Sequence, residues 1–218
     1  PFAWAYSENH PHDVNNGLHE IERNHQLIAS FTDASAAKPR LYPSSADFEK
    51  VVAYKHYSFI CIAPASVWFT KQFPEEKWIE FLKATDFQGK IYALGAPGDF
   101  DLCQRIIDQS GNTKAENLCG QLNLLESAAL MKDARMNYVN DSAPMHLASA
   151  MNAPTAAIFC STIPNFGFGP LSNDSSLIET KKPLACRPCG LHGKKACPEG
   201  HFKCGLEIES EQLTSLLG

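Results

Sequence analysis

No stretch of this sequence approaches the roughly 20 consecutive apolar residues that a membrane-spanning helix needs. Neither G-x-G-x-x-G nor G-x-x-x-x-G-K-S/T occurs, which excludes the dinucleotide fingerprint and the P-loop. Basic residues are outnumbered: 19 Lys and Arg against 24 Asp and Glu give a formal net charge of −5. No global basic field argues for nucleic acid. The first residue is Pro1, not Met, and no secretory leader pattern follows it. The expectation is an excised piece of a longer protein. What is present is ordinary soluble composition, 218 residues with 44% hydrophobic and 20% charged. That length suits one large domain or one and a half.

Eight cysteines fall into two groups. Cys61, Cys103, Cys119 and Cys160 are scattered in apolar surroundings and read as core thiols of a reduced, cytosolic protein. Cys186, Cys189, Cys197 and Cys204 are clustered as C-x2-C-x7-C-x6-C, with His192 and His201 between them. This spacing permits a tetrahedral zinc site, two disulfides or four free thiols. The first C-x-x-C is a proper knuckle, but Cys197 and Cys204 are not a second tight pair. The loop has little apolar content and needs some staple to be ordered.

Residues 1–16 are irregular and rich in His and Asn. Residues 18–31 place Leu18, Ile21, His25 and Ile28 at helical spacing. Residues 32–47, with Pro39 and Pro43, read as a linker. Then strands and helices alternate. The apolar run 58–65 suits a strand buried on both faces. A helix follows at 73–85, with Pro74 in its first turn. Residues 90–99 are strand, turn and helix start, and 99–108 a helix with Asp99 as its N-cap. A short strand lies within 116–121, and a helix at 123–134 opens on a capping box of Asn123 and Glu126. Strand 136–140, helix 142–152 and strand 155–160 complete the run. The pattern predicts an α/β fold, a Rossmann-like parallel sheet with helices on both faces.

Ligands of such sheets bind outside the carboxyl ends of the strands. Four of those ends carry chemistry. Asp141 and Ser142 stand where a strand yields to a helix, with His146 one turn on. An acid there can cap the helix, or it can accept ligand hydroxyls while backbone N–H groups take a phosphate. After the first strand come Ser66 and Lys71, and the lysine can neutralise a diphosphate or simply be solvated. "GAPGD" follows strand 90–94. "CSTIPNFGFGP" follows strand 155–160, where Ser161, Thr162 and the glycines let backbone approach a ligand.

"KQFPEEKW", "ALGAPGD", "ESAALMKDA", "NDSAPMHLASA", "APTAAIFCSTIPNFGFGP" and "CRPCGLHGKKACPEGHFKC" occur in this order. Together they resemble the nucleotide-sugar half of glycosyltransferase family 9, the bacterial lipopolysaccharide heptosyltransferases. The resemblance covers roughly residues 58–208, and "HEIERN" at 19–24 is similar to the stretch just before the second domain. It implies the C-terminal domain of a two-domain GT-B enzyme. Residues 1–47 would end the acceptor domain and form the linker. Residues 48–218 would bind the nucleotide sugar and carry a Cys-rich loop at 186–204.

By position, the resemblance implies that Ser66 and Lys71 contact phosphates and heptose, Asp99 lies near the ribose, and Leu122 lies against adenine. Asp141, Ser142, Ala143 and His146 match the family's Asp-(Ser/Thr)-Gly-x-x-His motif. Ala143 replaces its usual Gly, which implies a less permissive turn.

The implied reaction moves heptose from ADP-heptose to a lipid A–core acceptor at the inner face of the bacterial inner membrane. The full-length protein would touch that membrane peripherally. The catalytic base would lie in the N-terminal domain, so no catalytic residue is assigned here and this chain alone is expected to be inactive. Lys71, His146 if protonated, and the helix N–H groups would stabilise the leaving diphosphate. With no metal-binding carboxylate pair, no cofactor is expected beyond a candidate structural zinc. Two other classes stand beside this one: a zinc-binding interaction module, and a nucleotide-sugar-binding protein without transferase activity. Neither the sugar nor the oligomeric state is legible.

Overall fold

The computed structural model describes residues 3–5 and 7–217. Six strands form one parallel sheet: β1 Phe59–Ala63, β2 Lys90–Ala93, β3 Ala115–Asn117, β4 Asn137–Asn140, β5 Thr155–Ile158 and β6 Ser175–Ile178. Their order is β3-β2-β1-β4-β5-β6. The direction of winding therefore reverses between β1 and β4, where Cys61 pairs with Asn137 and Ala63 with Val139. That reversal leaves a crevice at the carboxyl ends of these two strands.

The helices are α1 Glu20–His25, α2 Ser45–Val51, α3 Glu75–Ala84, α4 Phe100–Ser110, α5 Leu124–Met131, α6 Ala143–Ala150, α7 Lys203–Leu206 and α8 Glu211–Thr214. Strand side chains alternate between two apolar layers. On one face Ile60, Ile62 and Ile91 pack with Trp78 and Phe81 of α3, Ile106 of α4 and Leu213 of α8. On the other, Phe59, Cys61 and Val139 pack with Val51 of α2, Leu130 of α5 and Met145 of α6. Trp78 and Phe81 are fully buried, and each such burial contributes about 2–3 kcal/mol.

The parallel sheet with helices on both faces is the predicted fold. Several elements differ in extent. The helix expected over 18–31 is α1, only Glu20–His25. Beyond it Leu27, Ile28 and Phe31 are exposed, so nothing among the described residues buries the apolar stripe that would extend it. Pro74 is the N-cap of α3 instead of a first-turn residue. β3, Ala115–Asn117, starts one residue before the range 116–121 expected to hold a short strand and ends at Asn117. Four elements are absent from the sequence reading: α2, β6 and the two short C-terminal helices α7 and α8. α2 begins inside the expected linker on a capping box of Ser44 and Asp47. β6 is an edge strand with three of its four residues outside the core, so it has no continuous apolar run to betray it.

The α1 segment is tied to the loop after β5. Glu20 N–H donates to Gly167 O at 2.8 Å, and Arg23, 3% exposed, donates to Phe166 O at 2.7 Å. Gly167 sits at φ +94, where a Cβ would stand 2.4 Å from Arg23 Nη2. Only glycine serves both the backbone and the close approach. Among the described residues, no helix is long and apolar enough to cross a membrane.

Candidate active site

The crevice between β1 and β4 is built from loops that buried polar groups hold in place. Asn140, the last residue of β4, is fully buried. Its amide donates to Pro64 O at 2.8 Å, and its carbonyl accepts the Phe73 N–H at 2.9 Å. One side chain thus pins both ends of the loop that carries Ser66 and Lys71. Its neighbour Asp141 is 4% exposed. Asp141 Oδ2 lies 2.8 Å from Lys71 Nζ and accepts the Thr162 hydroxyl at 2.6 Å. Three strand ends therefore converge on one carboxylate: Lys71 after β1, Asp141 after β4 and Thr162 after β5.

Capping does not explain Asp141. The N-cap of α6 is Ser142, and it makes no side-chain cap bond. Its hydroxyl instead donates to Asn140 O at 3.4 Å. The carboxylate of Asp141 is turned away into the crevice, toward the lysine. Ala143 is the first residue of α6, and it is not among the described non-glycine residues with positive φ, which are Asn152 and Phe202. The turn therefore makes no demand for glycine at this position.

His146 is on α6 and exposed. The protein around its ring still removes enough hydration to push its pKa below the ordinary histidine value. The Asp141 carboxylate opposes that shift, and His19 and Lys71 add to it. That direction disfavours the imidazolium, the form in which His146 would help to stabilise a leaving diphosphate. Lys71 remains the cation of the crevice.

The other predicted residues stand at neighbouring strand ends. Ser66 is half-buried on the loop after β1. Asp99 follows β2 and Leu122 follows β3. Asp99 occupies the N-cap position of α4 without a side-chain cap bond; it accepts the Ala96 N–H at 2.8 Å and closes the "GAPGD" turn. Leu122 is partly buried against the apolar layer of α5 and α6. From the sequence, Thr162 reads only as part of a loop that lets backbone approach a ligand, and Asn140 lies inside a quoted motif; neither side chain is assigned to the site there. A hydroxyl directly after an apolar strand, beside the strand that ends in Asp, was the available signal for Thr162.

The Cys-rich loop does bring its thiols together. Cys186 Sγ is 3.9 Å from His201 Nε2, and Cys189 Sγ donates to Cys186 O at 3.2 Å. Burial pushes the Cys204 thiol up to about 11, with the sulfurs of Cys189, Cys197 and Cys186 adding to the shift. All four are free thiols. Among the described residues no three Cys, His, Asp or Glu side chains are arranged to hold a metal ion.

A family model described as glycosyltransferase family 9 (heptosyltransferase) matches residues 2–198. The chain is 31% identical over 116 residues to lipooligosaccharide heptosyltransferase 2 of Campylobacter jejuni, covering 52% of this chain and 34% of that protein. In fold it is similar to the E. coli ADP-heptose LPS heptosyltransferase II, with a TM-score of 0.73 and 19% identity over 95% of this chain and 63% of the other. It is also similar to E. coli heptosyltransferase WaaC with ADP, with a TM-score of 0.64 and 18% identity over 96% and 59%. The chain spans 34% to 39% of the length of the curated relatives it matches.

Proposed function

We propose a function that starts from family membership, since this chain belongs to glycosyltransferase family 9. It is the donor-binding part of a heptosyltransferase that moves heptose from ADP-heptose to a lipopolysaccharide inner-core acceptor. The acceptor and the general base are assigned to the part of the protein outside these residues. The whole protein is assigned, on the same reading, to the cytoplasmic face of the inner membrane. Residues 1–47 are assigned to the end of the acceptor domain and the linker, and residues 48–218 to the donor domain.

The observation that carries this reading is the Lys71–Asp141–Thr162 constellation at the reversal point of the sheet. An inverting transfer leaves a diphosphate whose negative charge grows as the glycosidic bond breaks. Lys71 supplies the complementary charge. Asp141 holds the ammonium in place before the donor arrives, and its second oxygen remains for a donor hydroxyl. His146, whose pKa is lowered, offers a hydrogen bond beside them. Asp99 and Leu122 are assigned to the ribose and adenine, at the ends of β2 and β3.

Calorimetric titration of the 218-residue chain with ADP and with adenosine tests this. Lys71→Ala is expected to weaken ADP binding by about ten- to hundredfold, the loss of one charge-assisted contact. Adenosine affinity should change little. Equal ADP affinity in the folded variant and the parent would remove Lys71 from the donor site.

A further inference from the structure

The Cys-rich loop reaches the residue next to Lys71. Thr70 is 1% exposed. Its backbone N–H donates to Lys194 O at 3.1 Å, and its hydroxyl accepts the Lys194 N–H at 2.8 Å. The same hydroxyl accepts from Ser161 Oγ at 3.0 Å, while Thr70 O accepts the Ser161 N–H at 3.2 Å. Thr70 therefore joins the loop after β1 to the loop after β5 and to the Cys-rich loop. Gly193 lies against the stem of Lys71: a Cβ there would be 2.7 Å from Lys71 Cγ and 2.4 Å from Trp68 Cβ.

The loop is itself anchored at the same strand ends. Arg187 donates to Cys160 O at 2.7 Å and to Thr162 O at 2.8 Å, and it pairs with Glu179 at 2.6 Å. Cys189 N–H donates to Ser161 O at 3.0 Å.

We propose that residues 187–194 form a brace for the donor cation, and that Thr70 is the positioning residue through which the brace sets the place of Lys71. A lysine carries its charge on a flexible, rotamer-rich stem, so a fixed ammonium needs walls as well as a partner. Asp141 is the partner. Gly193 is one wall, and Thr70 holds the backbone on which Lys71 stands. What Lys71 binds rests on the donor reading above; the brace does not.

Two variants separate these points. Thr70→Val keeps the shape and leaves two donors without their acceptor; Thr70→Ser keeps the hydroxyl. Trace acetylation with mass-spectrometric readout measures the accessibility of the Lys71 amine against exposed Lys83. Thr70→Val should raise Lys71 labelling severalfold, and Thr70→Ser should restore the parent value. In titrations, Thr70→Val should weaken ADP by about fivefold, part of one charge-assisted contact, with adenosine unchanged. Unchanged labelling in folded Thr70→Val overturns the brace. Raised labelling with unchanged ADP affinity overturns its role at the donor site. If the parent itself fails to bind ADP while labelling responds as expected, the donor reading falls and the brace stands. If Thr70→Val does not fold, Gly193→Ala, which keeps the hydroxyl and crowds the stem, gives the same labelling decision.

Discussion

Consider replacing Lys71 by Met and Asp141 by Asn, singly and together. The pair is 2.8 Å apart, with side-chain exposures of 18% for Lys71 and 6% for Asp141. Lys71→Met leaves a nearly buried carboxylate with the Thr162 hydroxyl as its remaining partner. Breaking a buried pair this way costs about 3–5 kcal/mol, and the partial hydration of this site puts the cost near about 3 kcal/mol. Asp141→Asn keeps an acceptor for Lys71 and Thr162, so its cost is lower, about 2 kcal/mol. In the double variant neither group is left charged, and the cost should be close to that of one single change. The expected interaction energy is then about 2 kcal/mol, far outside the additivity of independent sites. Urea unfolding of the four proteins at pH 7 measures it. Additive single costs, within about 0.5 kcal/mol, would refute the claim that this pair is electrostatically closed.

Three other outcomes follow from the same geometry. A proton NMR titration should give His146 a midpoint below that of an ordinary histidine, because lost hydration around the ring, His19 and Lys71 disfavour the imidazolium. With the folded value depressed, the unfolded state takes the proton first. His146 therefore contributes stability above its unfolded value, and that contribution is lost as pH falls through the folded one; His146→Gln should flatten that part of the profile. Gly167→Ala is expected to cost about 1–3 kcal/mol from its positive φ, and more from the clash with Arg23; limited proteolysis should show cleavage near α1 rising with it. The Cys204 thiol, held up to about 11, should alkylate slowly in the native protein. Protein purified under reducing conditions without chelator should then give four free thiols after denaturation and a zinc ratio near zero, whereas one zinc per chain would mean that these sulfurs rearrange around an ion.

Much of the layer architecture was written in one dimension. A run such as Phe59–Ala63 is apolar on both sides only if both sheet faces are covered, and the helical stretches between such runs force right-handed parallel crossovers. Capping residues act within four positions, so Asn123 and Glu126 marked the start of α5 without any tertiary information. The same locality explains the misses. β6 owes its strand to its pairing with β5, from Thr155 and Ser175 to Ile158 and Ile178. The apolar residues after α1 are helical in pattern but lack the partner surface that would extend the helix.

The sequence by itself determined the strand and helix periodicity, the acid and imidazole at the end of β4, and the lysine after β1. These depend on neighbours in the chain. The tertiary structure decided what those groups do. It turned Asp141 away from the helix it could have capped and onto Lys71, 70 positions earlier, because the reversal of strand order puts β1 beside β4. It lowered the pKa of His146 through surroundings drawn from three segments. It also laid a loop of thiols and glycines against the backbone of Thr70. Charge state and side-chain direction depend on what surrounds a group in space, and only the folded chain brings those surroundings together.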